Sequence, residues 1–135
     1  MKTVAKNLHI AKIYVEDPQA LVPLLGGNVQ AVKSECWEAV AFAGILALRA
    51  FERGTNRAKT PGGELLLRLA GTLQIKDAIS SIGVGEGENY LIVFGEKERA
   101  VEILEKLGLK KLPVTDCTPE KVKTFFERAA LVEVL

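Results

Sequence analysis

The sequence has few of the side chains that most often do chemistry. It contains one histidine, His9, one tryptophan, one methionine and two cysteines, and aromatic residues make up 6% of it. Cys36 and Cys117 stand far apart with no CxxC spacing and no histidine nearby, which argues against a structural zinc site and predicts buried thiols of a reducing compartment. The formal charge of +1 provides no overall attraction to nucleic acid or to an anionic membrane, so any such binding must come from a local patch. Long hydrophobic runs are also missing. The longest, AVAFAGILAL from Ala39 to Leu48, is about half of the ~20 residues that a membrane span needs and predicts a buried helix instead. The opening MKTVAKNLHIAKIYVE has no apolar core of a secretory signal, and the expected location is the cytoplasm.

Catalytic groups are scarce for the same reason. His9 falls in a strand-like run whose same-face neighbours are Ala11, Ile13 and Val15, the setting of a histidine without a catalytic role. Neither cysteine has a neighbour that would predictably activate it. The carboxylates gather at helix starts and on solvated faces, as in EKERAVEILEK, so no acid and base pair emerges. The glycines of GVGEGE, Gly83 to Glu88, resemble a dinucleotide loop only superficially. They follow a helix and open a strand, the reverse of a phosphate-binding loop, and Glu86 and Glu88 would repel anions, so the segment reads as a turn. No catalytic residue, cofactor, metal or small-molecule substrate is expected.

What is present belongs to an ordinary folded domain. The 135 residues are 48% hydrophobic and 26% charged, which predicts one domain, 1–135, able to bury about two thirds of its unfolded surface. Leu8 to Val15 is rich in β-branched residues and predicts a strand. Asp17 and Pro18 start a helix that Pro23 shortens or bends and Gly26 and Gly27 stop. Asn28 to Glu35 alternates as a half-buried or edge strand. Trp37 to Arg53 predicts a helix through the core, apolar on nearly every side. Thr60 and Pro61 begin a helix that presents Leu65, Leu66 and Leu69 and ends at Gly71. Ile75, Ala78, Ile79 and Ile82 define another, ended by Gly83. Tyr90 to Phe94 predicts a buried strand, Glu96 to Leu107 an amphipathic helix, Leu109 to Val114 an extended strand, and Thr118 with Pro119 a last helix bearing Val122, Phe125, Phe126 and Ala129 on one face. The class is α/β or α+β, a small mixed sheet flanked by helices.

One stretch, NRAKTPGGELLLRLAGTLQI (Asn56 to Ile75), is locally unbalanced in charge. Residues 49–59 carry four basic groups, Arg49, Arg53, Arg57 and Lys59, against the single acid Glu52. Gly62 and Gly63 leave the first amides of the next helix uncovered by side chains, so a polyanion could approach its positive end. The plainer reading is that Arg49 and Arg53 complement the dipole of their own helix and the glycines give slack to a loop. Glu64 weakens a phosphate site, and no aromatic residues lie beside the patch to stack on bases. At the other end the chain finishes LVEVL, with Leu131, Val132, Val134 and Leu135 apolar. These residues either close over the sheet or offer a docking surface.

The loop Asn56 to Lys59, the helix Thr60 to Leu67, the segment from Gly71 to Ile79 and the run IGVGEGENYLIVFGE, in that order, resemble the PRPK-binding, CGI-type subunit of the KEOPS complex. The likeness is close from Ala50 to Glu96. It implies a non-catalytic subunit that binds the small kinase-like ATPase of KEOPS and grips tRNA at its single-stranded 3′ CCA end, in the service of threonylcarbamoyl-adenosine formation. It carries RNA-binding roles onto Asn56, Lys59, Gly71, Gln74 and Ile75, with Arg57 from the basic loop beside them. One departure is Leu73, where family members often have a basic residue, so a phosphate contact is lost or falls to Arg57 or Arg68. The kinase-binding surface is expected at Phe125, Phe126, Leu131 and Val132, chosen for apolar character. A protein-only adaptor that never touches RNA is the alternative, and an enzyme using His9 or Cys36 is a third.

Overall fold

The computed structural model describes residues 1–132. Five strands form one sheet: β1 (Lys2–Ala5), β2 (Leu8–Val15), β3 (Val29–Val32), β4 (Gly87–Phe94) and β5 (Lys110–Leu112). The order is β1-β2-β4-β3, and β5 joins β2 beyond the end of β1. Each of these ladders is antiparallel, so the fold is α+β and the expectation of a small sheet flanked by helices holds, with an antiparallel sheet in place of a mixed one. The physical reason lies in the connection from β3 to β4. It is a three-helix excursion rather than one crossover helix, and it returns the chain between β2 and β3 running against both.

The alternation of β2 and β4 divides the interior in two. Leu8, Ile10, Val32, Tyr90, Ile92 and Phe94 face the larger core, shared with α2 (Trp37–Arg53), α3 (Pro61–Ala70), α4 (Ile75–Ile82) and α6 (Pro119–Leu131). Ala11, Ile13, Val15, Leu91 and Val93 face a smaller core closed by α1 (Pro18–Leu21) and α5 (Lys97–Leu107). The helix from Asp17 breaks after four residues into a 3-10 turn, Val22–Leu24, that contains Pro23. On the other face α2 comes close to the sheet because its inner side is built from Ala39, Ala43, Gly44 and Ala47. A Cβ at Gly44 would lie 2.8 Å from Leu8 Cδ2. The most enclosed helix is nonetheless α3, with every residue from Glu64 to Leu69 buried. Each of its leucines contributes about 1.5–3 kcal/mol of burial.

The outer edge of β3 is blunted against pairing with another chain. Gly62 N–H donates to Gly27 O at 3.1 Å, Lys33 N–H to Ile82 O at 2.8 Å, and the Gln30 carboxamide to Ala31 O at 3.1 Å. Within the GVGEGE segment the connection from α4 to β4 is shorter than its sequence predicts: Gly83 bridges to Val32, and β4 already begins at Gly87. Asn89 spans it, accepting from Gly85 N–H at 3.1 Å and donating to Gly85 O and Gly87 O at 2.6 and 3.0 Å.

The cysteines correct the expectation of free thiols. Cys36, just before α2, and Cys117, just before α6, form a disulfide with a Cα–Cα distance of 5.6 Å across 81 residues of sequence. Packing of α6 against α2 and α3 brings together two positions that spacing alone could not relate. Other contacts close the same seam. Trp37 Nε1–H donates to Asp116 Oδ1 at 2.7 Å, Cys117 N–H donates to Glu38 Oε2 at 3.0 Å, and Lys121 pairs with Glu35. Disulfides also occur in intracellular proteins of hyperthermophiles, so the bond assigns no compartment. Among the described residues no helix is long and apolar enough to cross a membrane.

Candidate nucleic-acid interface

The start of α3 is not the bare anion cradle that its two glycines suggest. Gly62 is buried, its N–H is spent on Gly27 O, and a Cβ there would lie 3.1 Å from that same oxygen. The N-cap residue Thr60 accepts from Gly63 N–H at 3.1 Å through its hydroxyl and from Glu64 N–H at 2.9 Å through its carbonyl. These amides already have partners, and Gly62 is there because the helix start nearly touches the backbone at Gly27, just before β3.

Glu64 has a role that its expected effect of repelling phosphate does not cover. Its side chain is 0% exposed; Oε2 meets Arg68 Nε at 3.1 Å, and Oε1 accepts from Arg57 N–H at 2.6 Å and Ala58 N–H at 2.9 Å. One carboxylate therefore neutralises a buried arginine and pins the backbone of the basic loop. Arg68 is only 1% exposed and cannot supply the phosphate contact suggested for it. Asn56 also serves the loop, its carboxamide donating to Ala58 O at 2.9 Å. With the backbone held inward, the side chains of Arg57 and Lys59 lie at the surface, as do Arg49 and Arg53 at the end of α2. Among the described residues Arg49, Arg53 and Lys59 make no ion pair with a carboxylate.

The helix terminus that is open belongs to α4. Its N-cap is Gln74, which makes no side-chain capping bond and whose own N–H is held by Thr72 Oγ1 at 3.1 Å. Gln74 and Ile75 are exposed. Ile75 reaches back toward the loop: a Cβ at Gly63 would lie 3.1 Å from Ala58 Cβ and 3.7 Å from Ile75 Cδ1. Gly63 is thus the close-approach point at which the loop Asn56–Lys59 and the start of α4 converge. Of the six residues expected to bind RNA, Asn56, Arg57, Lys59, Gln74 and Ile75 border this one surface. Gly71 does not share it. It ends α3 with φ +73, and a Cβ there would fall 2.5 Å from Arg128 Cγ of α6, so it is a turn and packing glycine. Leu73 and Ile79, 40% and 55% exposed, extend the surface with apolar area.

The four residues expected to meet a protein partner separate by burial. Phe126 stacks on Phe42 with centroids 4.3 Å apart, and Phe125 packs on the larger core beneath the Arg128 guanidinium. Val132 is 0% exposed, which corrects its choice as a surface residue, whereas Leu131 is 51% exposed. The end of α6 turns Val132 inward and leaves its neighbour outside. Val134 and Leu135 lie outside the described residues. His9 is buried, with Nδ1 3.0 Å from Thr3 Oγ1, and Cys36 is oxidised, so neither of the side chains named for an enzyme stands in an accessible site.

No family model matches the chain. A curated protein, the KEOPS complex subunit Cgi121 of Pyrococcus abyssi, is 44% identical over 140 residues, an alignment that spans all of this chain and 82% of the relative.

Proposed function

The chain belongs to the Cgi121 family of KEOPS complex subunits, and from that premise we propose that it is a non-catalytic subunit that binds the small kinase-like ATPase of the complex and holds the 3′ CCA end of tRNA. It would act in the cytoplasm, in support of threonylcarbamoyl-adenosine formation. The observation that carries the RNA part is the meeting of a pinned, outward-facing basic loop with the uncapped start of α4 across Gly63. Lys59 and Arg57 align the phosphates as point charges. Gln74 offers both a donor and an acceptor to a base edge, and the exposed aliphatic area of Ile75 lies beneath it. The first amides of α4 add a partial positive charge at the same place. Glu64 acts only indirectly, by fixing the loop.

The test is a gel shift with full-length and CCA-truncated tRNA. Full-length tRNA should bind more tightly, and Lys59→Glu with Arg57→Glu should weaken it while leaving the circular dichroism spectrum intact. Because only a few phosphates are in reach, log affinity should fall against log salt with a slope of about −2 to −3. Equal shifts of the two RNAs would remove the CCA end as the contact, and no shift of either would leave the protein-only adaptor. That second reading draws on the exposed Leu131 at the end of α6, away from the basic loop.

A further inference from the structure

The seam between α2 and α6 holds a chemical grouping that neither RNA nor a kinase-like partner would use. The two sulfurs of Cys36 and Cys117 and a carboxylate oxygen of Glu38 all lie within 4.8 Å of one another. Glu38 is half satisfied: Oε2 accepts from Cys117 N–H at 3.0 Å, while Oε1 is sealed from solvent and has no hydrogen-bond partner among the described residues. The Tyr90 hydroxyl is also buried and unpartnered. An orphaned carboxylate oxygen in the interior costs about 1–3 kcal/mol or more. Two sulfurs and one carboxylate oxygen are donors that zinc takes, at about 2.3 Å and 2.0–2.2 Å, and on a tetrahedron such donors sit roughly 3.5–4 Å apart.

We infer that the reduced form of this seam is a site for one zinc-class divalent cation, held by Cys36 Sγ, Cys117 Sγ and Glu38 Oε1. Entry to this state balances simply. A dithiol, closing to its own disulfide and giving up its two protons, or a phosphine, taking oxygen from water and leaving the water's two protons, supplies two electrons; the sulfur–sulfur bond breaks and the two protons make two thiols. The cation then binds the two thiolates and the carboxylate, and the two thiol protons return to solvent. The seam does not depend on the disulfide to stay closed, because Trp37 to Asp116, Glu35 to Lys121 and Glu38 to the Cys117 amide bind the same two segments. These contacts hold the donors in range once the sulfurs part, and the amide bond aims the Glu38 carboxylate as an outer hydrogen bond aims a metal ligand. With three protein donors the fourth position falls to water. The seam therefore has two closed forms, one covalent and one metal-clipped.

The experiment uses the full chain reduced with a phosphine and freed of metal, then titrated with Zn2+ against a chromogenic chelator and, separately, with Co2+. Reduced wild type should take up one ion per chain and show a thiolate-to-cobalt charge-transfer band; the oxidised chain should do neither. Cys36→Ser and Cys117→Ser should each abolish the band, and Glu38→Gln should weaken Zn2+ by more than about 10-fold, the loss typical of groups one shell further out. Circular dichroism accompanies each titration. Reduced wild type that keeps its native spectrum and binds no Zn2+ overturns the inference, as does a reduced chain that has unfolded and is not refolded by Zn2+. Undiminished affinity in Glu38→Gln overturns the three-donor site.

Discussion

The Glu64 carboxylate and the Arg68 guanidinium, one helical turn apart on α3, meet at 3.1 Å with both side chains sealed from water. The same carboxylate holds the Arg57 and Ala58 amides, so the core of the helix bundle and the shape of the basic loop depend on one residue. Removing one member of a buried pair typically costs about 3–5 kcal/mol. Glu64→Ala should therefore lower stability by about that much in urea denaturation, and loosen amide hydrogen exchange in residues 56–59. Arg68→Met should cost a similar amount, and the double variant less than the sum. Additive losses would show that the two side chains act independently.

Local chemistry was legible in the sequence. Thr60 and Pro61 stand out as the cap and first residue of α3 because an N-cap and a proline at N1 act within one turn, and the structure places them there. Gly71 and Gly83 end their helices as expected, because a C-terminal glycine also acts within one turn. Long-range relations were not legible. Nothing near Cys36 or Cys117 points to the other, since their contact depends on how α6 packs. The four residues of β1 were missed because so short an alternation has no period to read. The Glu64 and Arg68 pair left a readable signal, an acid and a base spaced i, i+4 among leucines, but the glycines beside it suggested an open helix end.

The disulfide closes a long loop, and in the chain-entropy account a loop approaching 100 residues is stabilised by about 4–5 kcal/mol. Cys117→Ser should lower the denaturation midpoint accordingly, and a reductant in metal-free buffer should do the same to wild type while leaving the variant unmoved. A reductant effect on both chains alike would mean that it acts elsewhere.

Tyr90 links stability to alkaline pH. Burial raises its hydroxyl pKa above 10.0, with the negative charges of Glu38 and Glu88 pushing the same way. Above pH 10.0 the unfolded chain releases this proton while the folded chain retains it, so the unfolded state is favoured progressively as pH rises. The contribution is whole below pH 10.0 and is lost on the alkaline side. Tm followed from neutral pH into this range should fall more steeply for wild type than for Tyr90→Phe. That variant also removes an unpartnered hydroxyl from the interior, so it should cost little at neutral pH. Parallel curves would mean that the folded state ionises Tyr90 as freely as the unfolded one.

The end of α6 separates docking from folding at adjacent positions. Leu131 is 51% exposed and Val132 is 0% exposed, so the same change should act through different physics at each. Val132→Asp buries a carboxylate without a partner, and Tm should fall sharply with or without any other protein. Leu131→Asp places the charge in water, where substitutions usually shift stability by no more than about 0.5 kcal/mol. If Leu131 packs on the kinase-like subunit, Leu131→Asp should keep the monomer's Tm and lose copurification with that subunit, while Lys59→Glu keeps it. Copurification undiminished by Leu131→Asp would move the docking surface off the end of α6. A simultaneous loss of tRNA shift and partner binding in Leu131→Asp, with Tm unchanged, would instead mean that one surface serves both, contrary to the separation of loop and helix end proposed above.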